Sequence, residues 1–249
     1  MKRVLLLILV VLAGCSSQPT HVDVTQKKRD SATVHTELGA GYFSRGQYAV
    51  ALQELDAAVK ADPTYAPAYN VRGLVYMTLR ENDKAEQNFE RALDFSPRDA
   101  DINNNYGWFL CQTKREEESI KHFRTAFLNP LYATPEKAYL NAGICSQRMN
   151  RFKDAENYYR EALQIRSGLP QANLGLAGIY FQAGNYSLAR RFLSNYMQLA
   201  EPTAESLWLG IRIEHAAGGS DAEADYAAQL KDRFPDSREA QDLMDGKFK

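Results

Sequence analysis

Cysteine, histidine and tryptophan are scarce in this chain of 249 residues, which carries three, four and two of them. Each scarcity removes a class of chemistry. His21, His35, His122 and His215 stand far apart, with no HExxH or comparable ligand spacing, so no metal site is expected. Neither a glycine-rich phosphate loop nor a GxSxG elbow is present, so the sequence points to no enzyme, no cofactor and no small-molecule substrate. An excess of either charge is also missing. Thirty Lys and Arg against 31 Asp and Glu leave a formal charge of -1 and no basic footprint for nucleic acid. The apolar run from Val4 to Ala13 falls well short of the roughly 20 residues that a membrane-spanning helix needs.

That run has another meaning. Lys2 and Arg3 precede it and "LAGC", Leu12 to Cys15, closes it, which is the order of a secretory signal. The closing four residues resemble the lipobox of bacterial lipoproteins. The resemblance implies that residues 1–14 are a signal peptide that is removed, that Cys15 is lipidated (palmitate among its acyl chains) and becomes the N-terminus, and that Ser16 sends the protein to the outer membrane, on the periplasmic side. Several acyl chains anchor a folded, water-exposed protein stably. Loss of Lys2 and Arg3 moves the charge to -3. Residues 15–31 are polar, include "KKR" at 27–29, show no apolar periodicity, and are expected to be a tether.

From Ala32 the chain repeats. Gly39, Gly73 and Gly107 are 34 residues apart and Gly143 follows 36 later. Ala51, Ala85, Ser119, Ala155, Ala189 and Ala222 form a second ladder in the same phase. The period is that of the tetratricopeptide repeat (TPR), and Tyr69, Gly73, Tyr76, Ala85, Phe89, Ala92 and Pro97 sit where that pattern places aromatic, small and proline residues. The expected fold is therefore all-α, a right-handed superhelical TPR solenoid of six helix-turn-helix repeats at 32–65, 66–99, 100–133, 136–169, 170–203 and 204–236, with 237–249 as a tail and partial cap. Pro63 and Pro97 stop second helices. "RGQY" at 45–48 and "AGNY" at 183–186 place glycine in tight turns, where positive φ is expected. "NPLYATP" at 129–135 carries the two extra residues and should be a longer turn.

In TPR proteins the second, fifth, ninth, twelfth and thirteenth places of the first helices line a concave groove. Here those places select Asn70, Leu74 and Met77 from repeat two, Asn104, Trp108, Cys111 and Gln112 from repeat three, and Ile144, Gln147 and Arg148 from repeat four. Trp108 beside Met and Leu reads either as a partner site or as packing between repeats. The lining suits an amphipathic helix or extended segment held by apolar contacts and amide bonds. The Lys, Asn and Arg clamp of chaperone-binding repeats is missing, since its places hold Thr36, Ala40, Val71, Asp101 and Asn105. Asn105 and Asn141 occupy a place where asparagine is usually structural.

With Cys15 lipidated, Cys111 and Cys145 remain, 34 residues apart on the first helices of adjacent repeats. They form either a disulfide, which an oxidising compartment permits, or two buried thiols.

A lipobox, a polar tether, six repeats, "NNYGWFLC" at 104–111 and "YLNAGIC" at 139–145 together resemble the PilF/PilW family of type IV pilus biogenesis lipoproteins, the pilotins. The resemblance implies a protein that binds subunits of the type IV pilus secretin and promotes their outer-membrane localisation and multimerisation. Two other uses of a lipid-anchored repeat protein remain open: an adaptor that scaffolds peptidoglycan enzymes, and a regulator of their activity.

Overall fold

In the computed structural model, which describes residues 21–248 with side chains from Val24 onward, every regular element is helical. Thirteen α-helices occur among the described residues: α1 (His21–Ser44), α2 (Tyr48–Ala61), α3 (Ala66–Thr78), α4 (Asn82–Phe95), α5 (Ala100–Gln112), α6 (Glu116–Phe127), α7 (Pro135–Arg148), α8 (Phe152–Ile165), α9 (Pro170–Gln182), α10 (Tyr186–Leu199), α11 (Ala204–Ala217), α12 (Ser220–Arg233) and α13 (Arg238–Met244). Each odd-numbered helix from α1 to α11 packs on the even-numbered one after it, and each pair stacks on the next. The signal segment and Cys15 lie outside the described residues.

The glycine ladder marks where paired helices approach most closely. A Cβ added at Gly73 would sit 2.8 Å from the Phe89 ring, and one at Gly143 would sit 2.6 Å from the Tyr159 ring. Glycine on one helix therefore makes room for an aromatic sixteen residues later on its partner. Phe89, Phe123 and Tyr159 are almost completely buried as a result. No pair closes its own core. Phe89 reaches forward to Tyr106 and Phe109 of the next first helix, with ring centroids 5.7 and 5.6 Å away.

Turn chemistry follows the sequence. Gly46 and Gly184 have φ of 73° and 71°, in the left-handed region. The equivalent turns after α3, α5 and α7 place Arg80, Lys114 and Asn150 there, at φ of 61°, 65° and 58°. The connection 128–134 is longer than its counterpart at 96–99. It carries Tyr132 onto Ala100, Ala126 and Ala138, where the ring is buried.

One boundary differs from expectation. The stretch read as tether up to residue 31 is helical from His21, as the first part of α1. Its stabilisation is polar, which is why no apolar periodicity announced it. Gln26 donates to Asp30 (2.7 Å), and Arg29 pairs with Asp62 (2.8 Å) while lying over the Tyr65 ring. Burial raises the Asp62 carboxyl, but the Thr64 hydroxyl and amide and the Arg29 guanidinium outweigh it and hold its pKa below the usual value. At the other end, Ser237 caps α13, and Ala240 and Leu243 of that helix close over Leu207, Ile211 and Leu230.

Candidate partner-binding groove

The odd-numbered helices line one side of the stack, and their side chains wall clefts between neighbouring repeats. "NNNYGWFLC" at 103–111 is mostly interior. Asn103, Asn104, Tyr106, Gly107, Phe109, Leu110 and Cys111 are buried, leaving Asn105 and Trp108 partly exposed. Asn103 donates to the carbonyls of Pro97 and Asp99, and its Oδ1 lies 2.9 Å from His122 Nδ1. Burial lowers the His122 pKa, so the ring favours its neutral form.

Two of the asparagines selected for a ligand turn out to be stitched between repeats. Asn105 donates to Asn70 Oδ1 (3.2 Å), and Asn141 donates to Asn104 Oδ1 (3.0 Å). Asn70 and Asn104 are buried by these pairings, because an amide enclosed between stacked helices must find a partner there. Both bonds use the Oδ1 of the accepting amide, so Asn70 and Asn104 carry an inter-repeat role through that atom. The structure also joins the sulfurs of Cys111 and Cys145 across the same interface, with Cα atoms 6.0 Å apart, within the range a disulfide spans.

Trp108 packs between repeats and also reaches a cleft. One part packs on the cluster of Cys111, Phe123, Ala142 and Cys145. Another part, with Met77 and Gln112, lines a cleft of about 370 Å³ between α3 and α5. Leu74 and Met77 rest against the Phe89–Tyr106–Phe109 cluster. Arg148 reaches back across this region, donating to Gln112 Oε1 (3.2 Å) with its guanidinium 5.7 Å from the Trp108 ring.

Ile144 and Gln147 belong to a different and larger cleft, about 510 Å³, between α7, α9 and α11. The Tyr159 hydroxyl donates to Gln147 Oε1 (2.7 Å), and burial raises that hydroxyl's pKa. The opposite wall carries Leu174, Gly178, Phe181, Trp208 and Arg212. None of these five was selected from the sequence, although the signal was present. They occupy the fifth, ninth and twelfth places of repeat five and the fifth and ninth of repeat six, the same places that selected the residues of repeats two to four. Among the described residues no group of three or more His, Cys, Asp and Glu could hold a metal ion, and no helix is long and apolar enough to cross a membrane.

Six stacked helix pairs with clefts walled by their first helices define a tetratricopeptide-repeat solenoid, and three family models described as TPR or tetratricopeptide repeats match residues 39–79, 70–133 and 148–205. The type IV pilus assembly protein PilF of Pseudomonas aeruginosa is 32% identical over 240 residues, covering 96% of this chain and 95% of that protein. The crystal structure of PilW, a widely conserved type IV pilus biogenesis factor, superposes with a TM-score of 0.80 at 37% identity, covering 86% of this chain and 98% of PilW. A structure of Pseudomonas aeruginosa PilF gives 0.83 at 30% identity, over 88% and 99%. The chain belongs to the PilF/PilW family, and its role lies in type IV pilus biogenesis.

Proposed function

We propose that the protein is an outer-membrane lipoprotein that binds subunits of the type IV pilus secretin and promotes their localisation and multimerisation. The observation that carries this reading is the likeness to PilF and PilW along nearly the whole chain. It is supported by clefts whose apolar and amide walls suit a protein segment. In this reading the acyl chains on Cys15 give the address, the clefts give recognition, and the protein has no catalytic part.

The test is a pull-down from detergent-solubilised envelopes with the intact lipoprotein as bait, read by mass spectrometry beside a Trp108→Ala bait. Secretin enriched by the first and reduced with the second supports the reading. Peptidoglycan synthases or hydrolases in its place would move the function to the adaptor class. Cys15→Ala is expected to leave a folded protein that still binds secretin but leaves it mislocalised; normal secretin multimers in the outer membrane of that strain would remove the piloting role.

A further inference from the structure

Two arginines face the larger cleft without a carboxylate partner among the described residues. Arg148 bonds only neutral acceptors, and Arg212 lies with its guanidinium 4.6 Å from the Phe181 ring. Arg148 is exposed, as are unpaired arginines elsewhere such as Arg98 and Arg124, whereas Arg212 is half-buried. Its Nε donates to the Phe248 carbonyl (3.3 Å), and the described residues offer its Nη atoms no acceptor. Burial lowers its pKa with no neighbouring acid to offset the effect. A guanidinium held in this way is a ready partner for a carboxylate, because its fork matches both oxygens. Glu205 is the one acid among the cleft's lining residues, and it is exposed.

The chain's own C-terminal end shows what else this place accepts. The Phe248 ring stacks on His215 (4.0 Å) and on Trp208 (5.8 Å) at the edge of the cleft, with its carbonyl on Arg212. Aromatic ring and oxygen acceptor thus arrive together. We propose that the cleft between α7, α9 and α11 seats an acidic segment of a partner protein that also carries an aromatic side chain. Arg148 and Arg212 hold its carboxylates, its ring takes the place beside Trp208 that Phe248 holds here, and Gln147 Nε2, left available by the bond from Tyr159 to Oε1, donates to its backbone. The inference rests on the reading of the clefts as protein-binding surfaces but not on the secretin being the partner.

The experiment is selection of a random-peptide display library on the intact protein, followed by affinity measurements on the parent and on an Arg148→Gln/Arg212→Gln variant. Circular dichroism and a thermal melt establish that the variant is folded. Selected peptides are expected to share acidic and aromatic positions and to bind the variant at least about tenfold more weakly, the loss expected for a hydrogen-bonded charge pair. Replacing their Asp and Glu by Asn and Gln should cost a similar factor on the parent and little more on the variant. Selection that yields no acidic consensus, or acidic peptides that hold the variant as tightly as the parent, overturns the assignment. The same two proteins used as baits separate the two proposals. Secretin recovered equally by both leaves the piloting role and removes this cleft from it, whereas peptide binding lost in the variant with no secretin recovered by either leaves the cleft and removes the secretin.

Discussion

The middle of the solenoid and its C-terminal end use the same places of the same repeat to opposite purpose. At the junction of repeats three and four, the inward places hold Asn104 and Cys111, and an amide pair and a disulfide tie α5 to α7. Between repeats four and six the inward places hold Leu174, Gly178, Phe181, Trp208 and Arg212, and a cleft of about 510 Å³ stays open. The difference teaches that an unusual sequence can be spent mostly on closing an interior, with Trp108 the one large side chain of the stretch left partly exposed, at a cleft. "NNNYGWFLC" is unusual because its polar residues must find partners on neighbouring elements, Asn103 at Pro97, Asp99 and His122, Asn104 at Asn141 and Asn105 at Asn70. The cleft is built from residues that look ordinary one at a time.

The largest expected effect tests the closed half. Replacing Cys111 and Cys145 together by alanine should lower stability by about 3–4 kcal/mol, the chain-entropy value for a loop of this length, read by urea unfolding with and without reductant. Peptide binding at the C-terminal cleft should survive, since neither cysteine is among the residues that line it. Titration of the denatured, unreduced protein should find neither of these two thiols reactive. Two reactive thiols would mean that the amide pairs and apolar packing hold this junction without a crosslink.

A pair of glycines sharpens the contrast at a smaller magnitude. A methyl at Gly143 would meet the Tyr159 ring at 2.6 Å, so Gly143→Ala should destabilise by about 1–3 kcal/mol through overpacking. Gly178 also sits inside a first helix, yet the nearest atom to its added methyl is Gln147 Nε2 at 3.8 Å. Gly178→Ala should therefore keep or gain stability, by up to about 1 kcal/mol from helix propensity, while disturbing whatever occupies the cleft. Thermal melts of both variants decide the matter. Equal losses would mean that the C-terminal end is packed as tightly as the middle.

How far the sequence could be read depends on what kind of signal each feature leaves. The repeat was legible because small residues recur wherever two helices must touch, as at Gly73 against Phe89 and Gly143 against Tyr159. The disulfide was legible as one of two alternatives, since helix stacking brings Cys111 and Cys145 near one another without fixing their Cα separation. The fate of Asn70 and Asn104 was not legible. Whether an amide faces a ligand or a neighbour depends on a partner residue 35 or 37 positions away in the next repeat. The early start of α1 was hidden for a related reason, because Arg29 finds Asp62 only after the chain has folded back.

The smallest effect concerns the turns, and it runs opposite to the first two. In the outer repeats the left-handed turn position is glycine, at Gly46, Gly184 and Gly218, whereas the middle repeats place Arg80, Lys114 and Asn150 there. An L residue with a Cβ pays about 1 kcal/mol or somewhat more in that conformation, and asparagine pays least. The middle, otherwise the more constrained half, therefore carries backbone strain that the ends avoid. Lys114 is exposed and makes no ion pair among the described residues, so its side chain gives little back. Lys114→Gly should raise stability by about 0.5–1 kcal/mol, less than the full strain because glycine also gains freedom in the unfolded chain. Gly184→Ala should lower stability by about the same amount. If Lys114→Gly proves destabilising, the turn between α5 and α6 is held by its side chains, and the middle of the solenoid is rigid there by design of contacts as well as by its crosslink.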